Sequence, residues 1–255
     1  MRILVVNPNT TASMTRKIGK AAGAAAAVGT EIAAVNPDFG PPSIEGYLDE
    51  AFSVPGLIAE INKAPDMDAY IVACFDDSGL DAARCVTNAP VIGIGEAAFH
   101  VASLIADKFS VVTTLFRSVP AIEHNLIKYG LAARCTKVRA TDVPVLELEV
   151  PGSNARDRIS EEIRRAVLED RAEAIVLGCA GMTDLASTLS NEHGIAVLDG
   201  VACAVKLCEA LVQLGLRTSK TGGYASPRPK RYSGIFAPFS PGNEGGELPV
   251  ANTTV

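Results

Sequence analysis

Several things are scarce in this 255-residue sequence, and each scarcity removes a class of function. No segment approaches the ~20 uninterrupted apolar residues that a membrane-spanning helix needs. Lys and Arg number 23 against 29 Asp and Glu, a net charge of −6 with no basic face, which argues against a nucleic-acid partner. The densest basic run, Arg228, Lys230 and Arg231, lies in a Pro-rich tail and reads as solvated. Histidine is confined to His100, His124 and His193, far apart, and none of the six cysteines forms a Cys-x-x-Cys pair. A zinc or iron centre is therefore not expected. No phosphate loop or dinucleotide fingerprint is present, so no cofactor is expected. The early run Ile3-Leu4-Val5-Val6 is stopped by Pro8 and is too short for a signal-peptide core, so the expected compartment is the cytoplasm. There the cysteines should be thiols rather than a disulfide framework.

What is present is apolar sequence in short, regular pieces. Hydrophobic residues make up 48% of the chain, enough for a sizeable core. Strand-like runs at residues 3–6, 32–35, 69–73, 91–94, 110–113, 137–140, 174–177 and 196–198 are mostly separated by helix-length spacers. That alternation predicts parallel sheets covered by helices on both faces.

The chain is also written twice. Tyr70-Ile71-Val72-Ala73-Cys74-Phe75-Asp76-Asp77-Ser78-Gly79-Leu80 matches Ile175-Val176-Leu177-Gly178-Cys179-Ala180-Gly181-Met182-Thr183-Asp184-Leu185 in pattern. The two cysteines are 179 − 74 = 105 residues apart, and the flanking strands keep nearly that offset. The start of the chain, through Asn7-Pro8-Asn9-Thr10, has its echo in Val111-Val112-Thr113-Thr114-Leu115. The expected fold is two pseudo-symmetric small α/β domains, each built on a parallel sheet, with a site in the cleft between them. Residues 1–96 plus about 205–220 form the first domain and residues 97–204 the second. Residues 221–255, rich in Gly, Pro, Ser and Lys, form a tail expected to be disordered in part or packed on a neighbouring subunit.

In such sheets ligands sit at the carboxyl ends of strands, where Cys74 and Cys179 fall. A cysteine opening a helix gains from the helix N-terminus, which lowers its pKa toward a usable thiolate. Two such groups facing each other could take a proton from one face of a carbon and return one to the other. The resulting enolate needs pre-placed donors, for which backbone N–H groups of Phe75, Asp76, Ala180 and Gly181 are candidates. Thr113 and Thr114 could add hydroxyls, and Asn9 could bind polar substrate edges. Each residue also has a plain structural alternative. Either cysteine alone could be a packed thiol. Asp76 and Asp77 could cap the following helix. Thr113 and Thr114 could be ordinary strand residues, and Gly181 could serve a turn. Cys85, Cys203 and Cys208 fall in helical patterns, Cys135 in a linker before a strand, and His100 on a helix face.

The motifs together resemble the aspartate/glutamate racemase superfamily, in its hydantoin and allantoin racemase branch. The likeness runs over roughly residues 1–220. It is carried by Asn7-Pro8-Asn9-Thr10-Thr11, by Pro42-Ser43-Ile44-Glu45-Gly46, by Ala73-Cys74-Phe75-Asp76-Asp77-Ser78-Gly79, by Val91-Ile92-Gly93-Ile94-Gly95-Glu96 and by Leu177-Gly178-Cys179-Ala180-Gly181-Met182. The resemblance implies a cofactor-independent, homo-oligomeric racemase with Cys74 and Cys179 as paired acid and base, and it adds Ser43 to the substrate-binding candidates. Glutamate racemases carry Cys-Asn-Thr and Gly-Cys-Thr-His at the two sites. Phe75-Asp76 and Ala180-Gly181-Met182 depart from that pattern, which favours a neutral ring such as a 5-substituted hydantoin over a free amino acid. Allantoin is the alternative ring. Phe75, Phe116 and Met182 would suit an apolar substituent if they reach the pocket. A maleate-type isomerase and a non-catalytic two-domain small-molecule binder remain as other readings.

Overall fold

A computed structural model describes residues 1–242. All eight expected strands are present: β1 (Arg2–Val6), β2 (Glu31–Val35), β3 (Ala69–Val72), β4 (Val91–Gly93), β5 (Phe109–Thr113), β6 (Cys135–Ala140), β7 (Ala174–Leu177) and β8 (Ala196–Leu198). They form two four-stranded sheets of identical order, β2-β1-β3-β4 and β6-β5-β7-β8, and every pairing is parallel. The registers repeat as well: Ile3 lies opposite Ala69 in one sheet and Phe109 opposite Ala174 in the other. The central strands β1, β3, β5 and β7 are buried on both faces, so they read as continuous apolar runs rather than alternating ones, whereas the edge strands β2 and β6 are partly exposed.

The helices are α1 (Ala12–Ala25), α2 (Tyr47–Lys63), α3 (Leu80–Val86), α4 (Ile94–Ile105), α5 (Val119–Lys128), α6 (Ala155–Glu169), α7 (Ala186–His193) and α8 (Gly200–Gln213). The outer face of the first sheet, with Leu4, Val6, Tyr70 and Val72, packs with Leu57 and Ile61 of α2 and with Leu80 and Ala83 of α3. The outer face of the second, with Val112, Ile175 and Leu177, packs with Ile159 and Ile163 of α6 and Leu189 of α7. The inner faces share one core. Val5 and Ile71 on one side and Val111 and Val176 on the other are joined by Phe99 of α4 and Val205 of α8. Each such buried aliphatic side chain contributes roughly 1.5–3 kcal/mol.

Helices α4 and α8 lie against each other, and α4 also touches β7 while α8 touches β3. Glycines permit close approach at both helix starts, Gly200 of α8 to α4 and Gly95 of α4 to the Cys74 loop. A Cβ on Gly200 would stand 2.5 Å from the Ile94 carbonyl oxygen, and one on Gly95 would stand 2.3 Å from that of Phe75.

The segment entering the expected tail packs on its own chain. Thr218 donates from N to the Asn88 carbonyl at 3.0 Å and from its hydroxyl to the Ala89 carbonyl at 2.7 Å. The Tyr224 hydroxyl donates to Asp81 at 3.1 Å. Residues 218–224 thus strap α3 of their own chain, because backbone carbonyls at the end of α3 and Asp81 on its exposed face offer acceptors. Residues 243–255 of the expected tail lie outside the described residues. Cys85, Cys203 and Cys208 are helical as expected, whereas Cys135 begins β6 instead of preceding it. No helix among the described residues is long and apolar enough to cross a membrane.

Candidate active site

The carboxyl ends of the two central strand pairs converge on one pocket. From the first half it is lined by Asn7, Asn9, Met14, Ile44 and residues 73–76. From the second it is lined by Thr113, Thr114, Ser118, Val145 and residues 178–180. Cys74 follows β3 and Cys179 follows β7, so equivalent positions of the two halves meet at one cavity. Both cysteines are half-buried, while their neighbours Ala73, Phe75, Gly178 and Ala180 are buried. In each loop the sulfur-bearing residue is thus more exposed than its immediate neighbours.

The two loops share a backbone. Asp77 N donates to the Cys74 carbonyl at 3.0 Å, and Met182 N to the Cys179 carbonyl at 3.1 Å. A second turn follows each: Leu80 N to Asp77 O at 3.0 Å and Leu185 N to Met182 O at 2.9 Å. All of these positions differ by the same 105 residues (182 − 77, 185 − 80). These turns correct one expectation. Neither cysteine opens an α-helix directly, since α3 begins only at Leu80 and α7 only at Ala186.

The thiols are accordingly not held as thiolates. Burial pushes the Cys179 thiol up to about 12, opposed by the Gly181 N–H, while the Asp76 charge adds to the rise and Lys17 reduces it. Burial, then the Asp76 charge, push Cys74 well above the ordinary thiol value, against the Ser78 hydroxyl and the Asp76 N–H. The Ser78 hydroxyl lies 3.5 Å from the Cys74 sulfur. Asp76 lines the pocket, and burial and the nearby Glu50 carboxyl raise its own pKa to about 8. Negative charge therefore weighs on both sulfurs, and Lys17 relieves only Cys179.

Asp77 does cap a helix, but not the one that follows it in sequence. Its carboxylate accepts from Gly95 N at 3.0 Å and Glu96 N at 2.8 Å, at the start of α4, and from the Tyr129 hydroxyl at 2.8 Å. The second half caps α8 with Asp199, which accepts from Val201 N and Ala202 N, both at 3.0 Å. The register aligns Asp199 with Gly93, since Val91 pairs with Tyr70 and Val197 with Ile175. A Cβ on Gly93 would stand 2.0 Å from the Asp77 carboxylate. The same cap is thus supplied from two different chain positions, and at Asp77 it also ties the Cys74 loop to α4. Asp77 takes up a left-handed conformation (φ 52°), which Asp tolerates better than most residues.

Of the binding candidates, Asn9, Phe75, Asp76, Thr113, Thr114 and Ala180 line the pocket. Ser43 and Gly181 do not, although their neighbours Ile44 and Ala180 do. Thr113 is not a free donor, because its hydroxyl donates to the Gly178 carbonyl at 2.9 Å and latches β5 to the Cys179 loop. Phe116 is exposed and Met182 is sealed in the outer core, so neither reaches the cavity. Phe75 does, braced edge-on by Phe99 at 5.3 Å. His100 stands on the surface of α4. The sequence reading missed Asn7, Met14, Ile44, Ser118 and Val145 as lining residues. Asn7 is nearly fully buried and donates to Asn9 at 2.9 Å and to the Thr15 hydroxyl at 3.0 Å, fixing the Asn9 side chain. Its place in the Asn7-Pro8-Asn9 motif was the available signal. Val145 is brought in by its N–H, which donates to Glu45 at 3.0 Å across the two halves.

Two parallel-sheet domains whose equivalent strand ends deliver a cysteine each to one cavity define a class of protein, and sequence comparison agrees with it. The profile of the family described as Asp/Glu/Hydantoin racemase matches residues 3–208, and the chain belongs to that family. It is 51% identical over 236 residues to a hydantoin racemase of Rhizobium meliloti, covering 92% of this chain and 98% of that one. To a hydantoin racemase of Pseudomonas sp. (strain NS671) it is 46% identical, covering 94% of this chain and 97% of that one. The fold is similar to that of the allantoin racemase from Klebsiella pneumoniae, with a TM-score of 0.91 at 47% identity, covering 93% of this chain and 98% of the other. The chain is a racemase, and so an isomerase.

Proposed function

We propose that this racemase inverts 5-substituted hydantoins by moving a proton between Cys74 and Cys179 through an enolate. The single observation carrying the substrate class is the pocket's charge. Among its lining residues there is no Lys, Arg or His, and Asp76 is the one ionisable group besides the two cysteines. An α-amino acid would present a carboxylate there with no cation to meet it. A neutral ring with N–H groups meets acceptors in Asp76, Asn9 and Thr114 instead.

The chemistry suits the site. The ring carbon beside a carbonyl is more acidic than the α-carbon of a free amino acid, so its deprotonation gives an enolate that pre-placed donors stabilise. One cysteine takes the proton as thiolate while the other supplies one from the opposite face. The roles exchange with the handedness of the substrate. Both thiols are raised by burial, so the base must be generated at the expense of a proton leaving the site. The rate should therefore climb with pH through the neutral range.

Allantoin is a second reading, favoured by the polar stretch of the wall, where Asn9, Thr114, Ser118 and Asp76 could meet a ureido group. Met14, Ile44, Phe75 and Val145 offer the apolar stretch that a benzyl or isobutyl group would use. A polarimetric screen of benzyl-, isobutyl- and ureido-substituted hydantoins, with glutamate as control, separates these readings. Activity on glutamate with none on any ring would overturn the substrate class. A homo-oligomer belongs to the same reading, supported by the exposed apolar side chains Leu48, Phe52 and Phe116. Sedimentation as a monomer would remove that element.

A further inference from the structure

We propose that Lys17 and Asn125 are positioning residues for the proton transfers, each reaching from one half of the chain to hold the carbonyl of the residue two places past the other half's cysteine. The proposal rests on the reading of Cys74 and Cys179 as the acid and base.

The observations are reciprocal. Asn125, on α5 of the second half, donates from Nδ2 to the Asp76 carbonyl at 2.8 Å. Lys17, on α1 of the first half, donates from Nζ to the Gly181 carbonyl at 3.3 Å. Asp76 and Gly181 occupy matching places, two residues after Cys74 and Cys179. Helices α1 and α5 are themselves equivalent, each following the second strand of its sheet order, β1 and β5. Two different side chains, an amide and an ammonium, thus fill one structural role in the two halves.

The held residues also touch the sulfurs. The N–H of Asp76 faces Cys74, and the N–H of Gly181 faces Cys179. Each loop residue is therefore gripped at its carbonyl from across the interface and turned at its N–H toward the reacting sulfur. Lys17 is itself anchored, donating to the Leu148 carbonyl at 3.3 Å and pairing with Glu149 at 2.8 Å. Gly181 is further confined by Leu148, whose Cδ1 would lie 2.8 Å from a Cβ on Gly181. Freeing the carbonyl lets the loop shift, and a displacement of about 1 Å in a proton-transfer site costs on the order of ten- to a hundredfold in rate. Because each grip serves one cysteine, its loss should lower inversion in both directions but leave proton exchange at the other cysteine's face.

The test compares Asn125→Leu and Lys17→Met with Cys74→Ser and Cys179→Ser, using each enantiomer of 5-benzylhydantoin in D2O. The expected result is a roughly tenfold or larger fall in kcat with KM little changed. Deuterium should enter without inversion in the same enantiomer for Asn125→Leu as for Cys74→Ser, and in the opposite one for Lys17→Met as for Cys179→Ser. Lys17→Arg, which keeps the cationic donor, should restore most of the rate. If Asn125→Leu does not fold, Asn125→Asp has the same shape without the donor and should give the same handedness. Deuterium exchange without handedness in the Lys17 and Asn125 variants, while the cysteine variants stay handed, overturns the positioning role alone. Cysteine variants without handedness overturn the underlying reading and this proposal with it.

Discussion

The loops carrying Cys74 and Cys179 follow the same backbone path and differ in almost every side chain. Both make two successive turns after a buried strand, and both present sulfur to the same pocket. The first loop carries Phe75, Asp76, Asp77 and Ser78, and the second carries Ala180, Gly181, Met182 and Thr183. On the proposed two-cysteine reading, backbone geometry has been kept where the reaction needs two opposed groups, while electrostatics have diverged. Asp76 loads the Cys74 side with negative charge, and Lys17 relieves the Cys179 side. The two halves are thus symmetric in where the sulfurs stand and asymmetric in how readily each gives up its proton.

The largest effect should come from breaking the symmetric element. Cys74→Ser and Cys179→Ser should each lower kcat/KM for racemization by about a thousandfold or more, since a serine hydroxyl is far too weak an acid to exchange protons with a carbon acid here. Steady-state polarimetry checks this, and a variant retaining ordinary rates removes that cysteine from the mechanism.

A next, smaller effect concerns the two helix caps. Asp77→Ala should cost about 1–3 kcal/mol in denaturant unfolding, because the α4 N–H groups and the Tyr129 hydroxyl lose their acceptor. Asp199→Ala, which loses two N–H partners, should cost about 1 kcal/mol. Only Asp77→Ala should also depress kcat, because only Asp77 belongs to a cysteine loop. Equal kinetic damage from both would mean that the cap and the loop are not coupled.

Asp76→Asn sharpens the electrostatic contrast. Removing the charge should bring the Cys74 thiol down, so its alkylation by iodoacetamide at pH 8 should quicken relative to that of Cys179, as read by peptide mass spectrometry. The same variant has a signed effect on stability. Asp76 holds its proton more tightly folded, to about 8, than at its ordinary value of 3.8, so it favours the folded state at low pH and this benefit is lost as pH rises toward 8. Asp76→Asn should therefore match the parent at about pH 4 and exceed it in stability above pH 8. A gain confined to acid would contradict the assignment.

The smallest effect is expected from Thr113→Val, which removes the latch to the Gly178 carbonyl and should cost roughly 0.5–1.5 kcal/mol. Retained activity would agree with Thr113 acting as a latch, whereas a collapse of kcat at unchanged stability would return its hydroxyl to the list of substrate donors.

Much of this was legible before any coordinates. The central strands showed as apolar runs because they are buried on both faces, and the repeat at 105 residues located both cysteines at matching strand ends. The reading failed where side-chain direction depends on tertiary partners. Asp77 finds its helix beyond an intervening strand, at Gly95 and Glu96, a pairing that no local spacing encodes. Met182 follows Cys179 closely, yet the turn at residues 180–182 rolls it into the outer core beside Ile159 and Leu189. Ser118 and Val145 come from segments without a motif and reach the pocket only because the halves close on each other. The thiolate expectation failed for a related reason, since the loops delay both helices and leave burial as the dominant influence on sulfur.

The most direct measurement is proton NMR of each hydantoin enantiomer, incubated separately in D2O with Cys74→Ser or Cys179→Ser. If the sulfurs address one carbon from opposite faces, each variant will exchange the ring proton of a single enantiomer with retention, and the two variants will select opposite hands. Exchange of the same enantiomer by both variants would contradict the account.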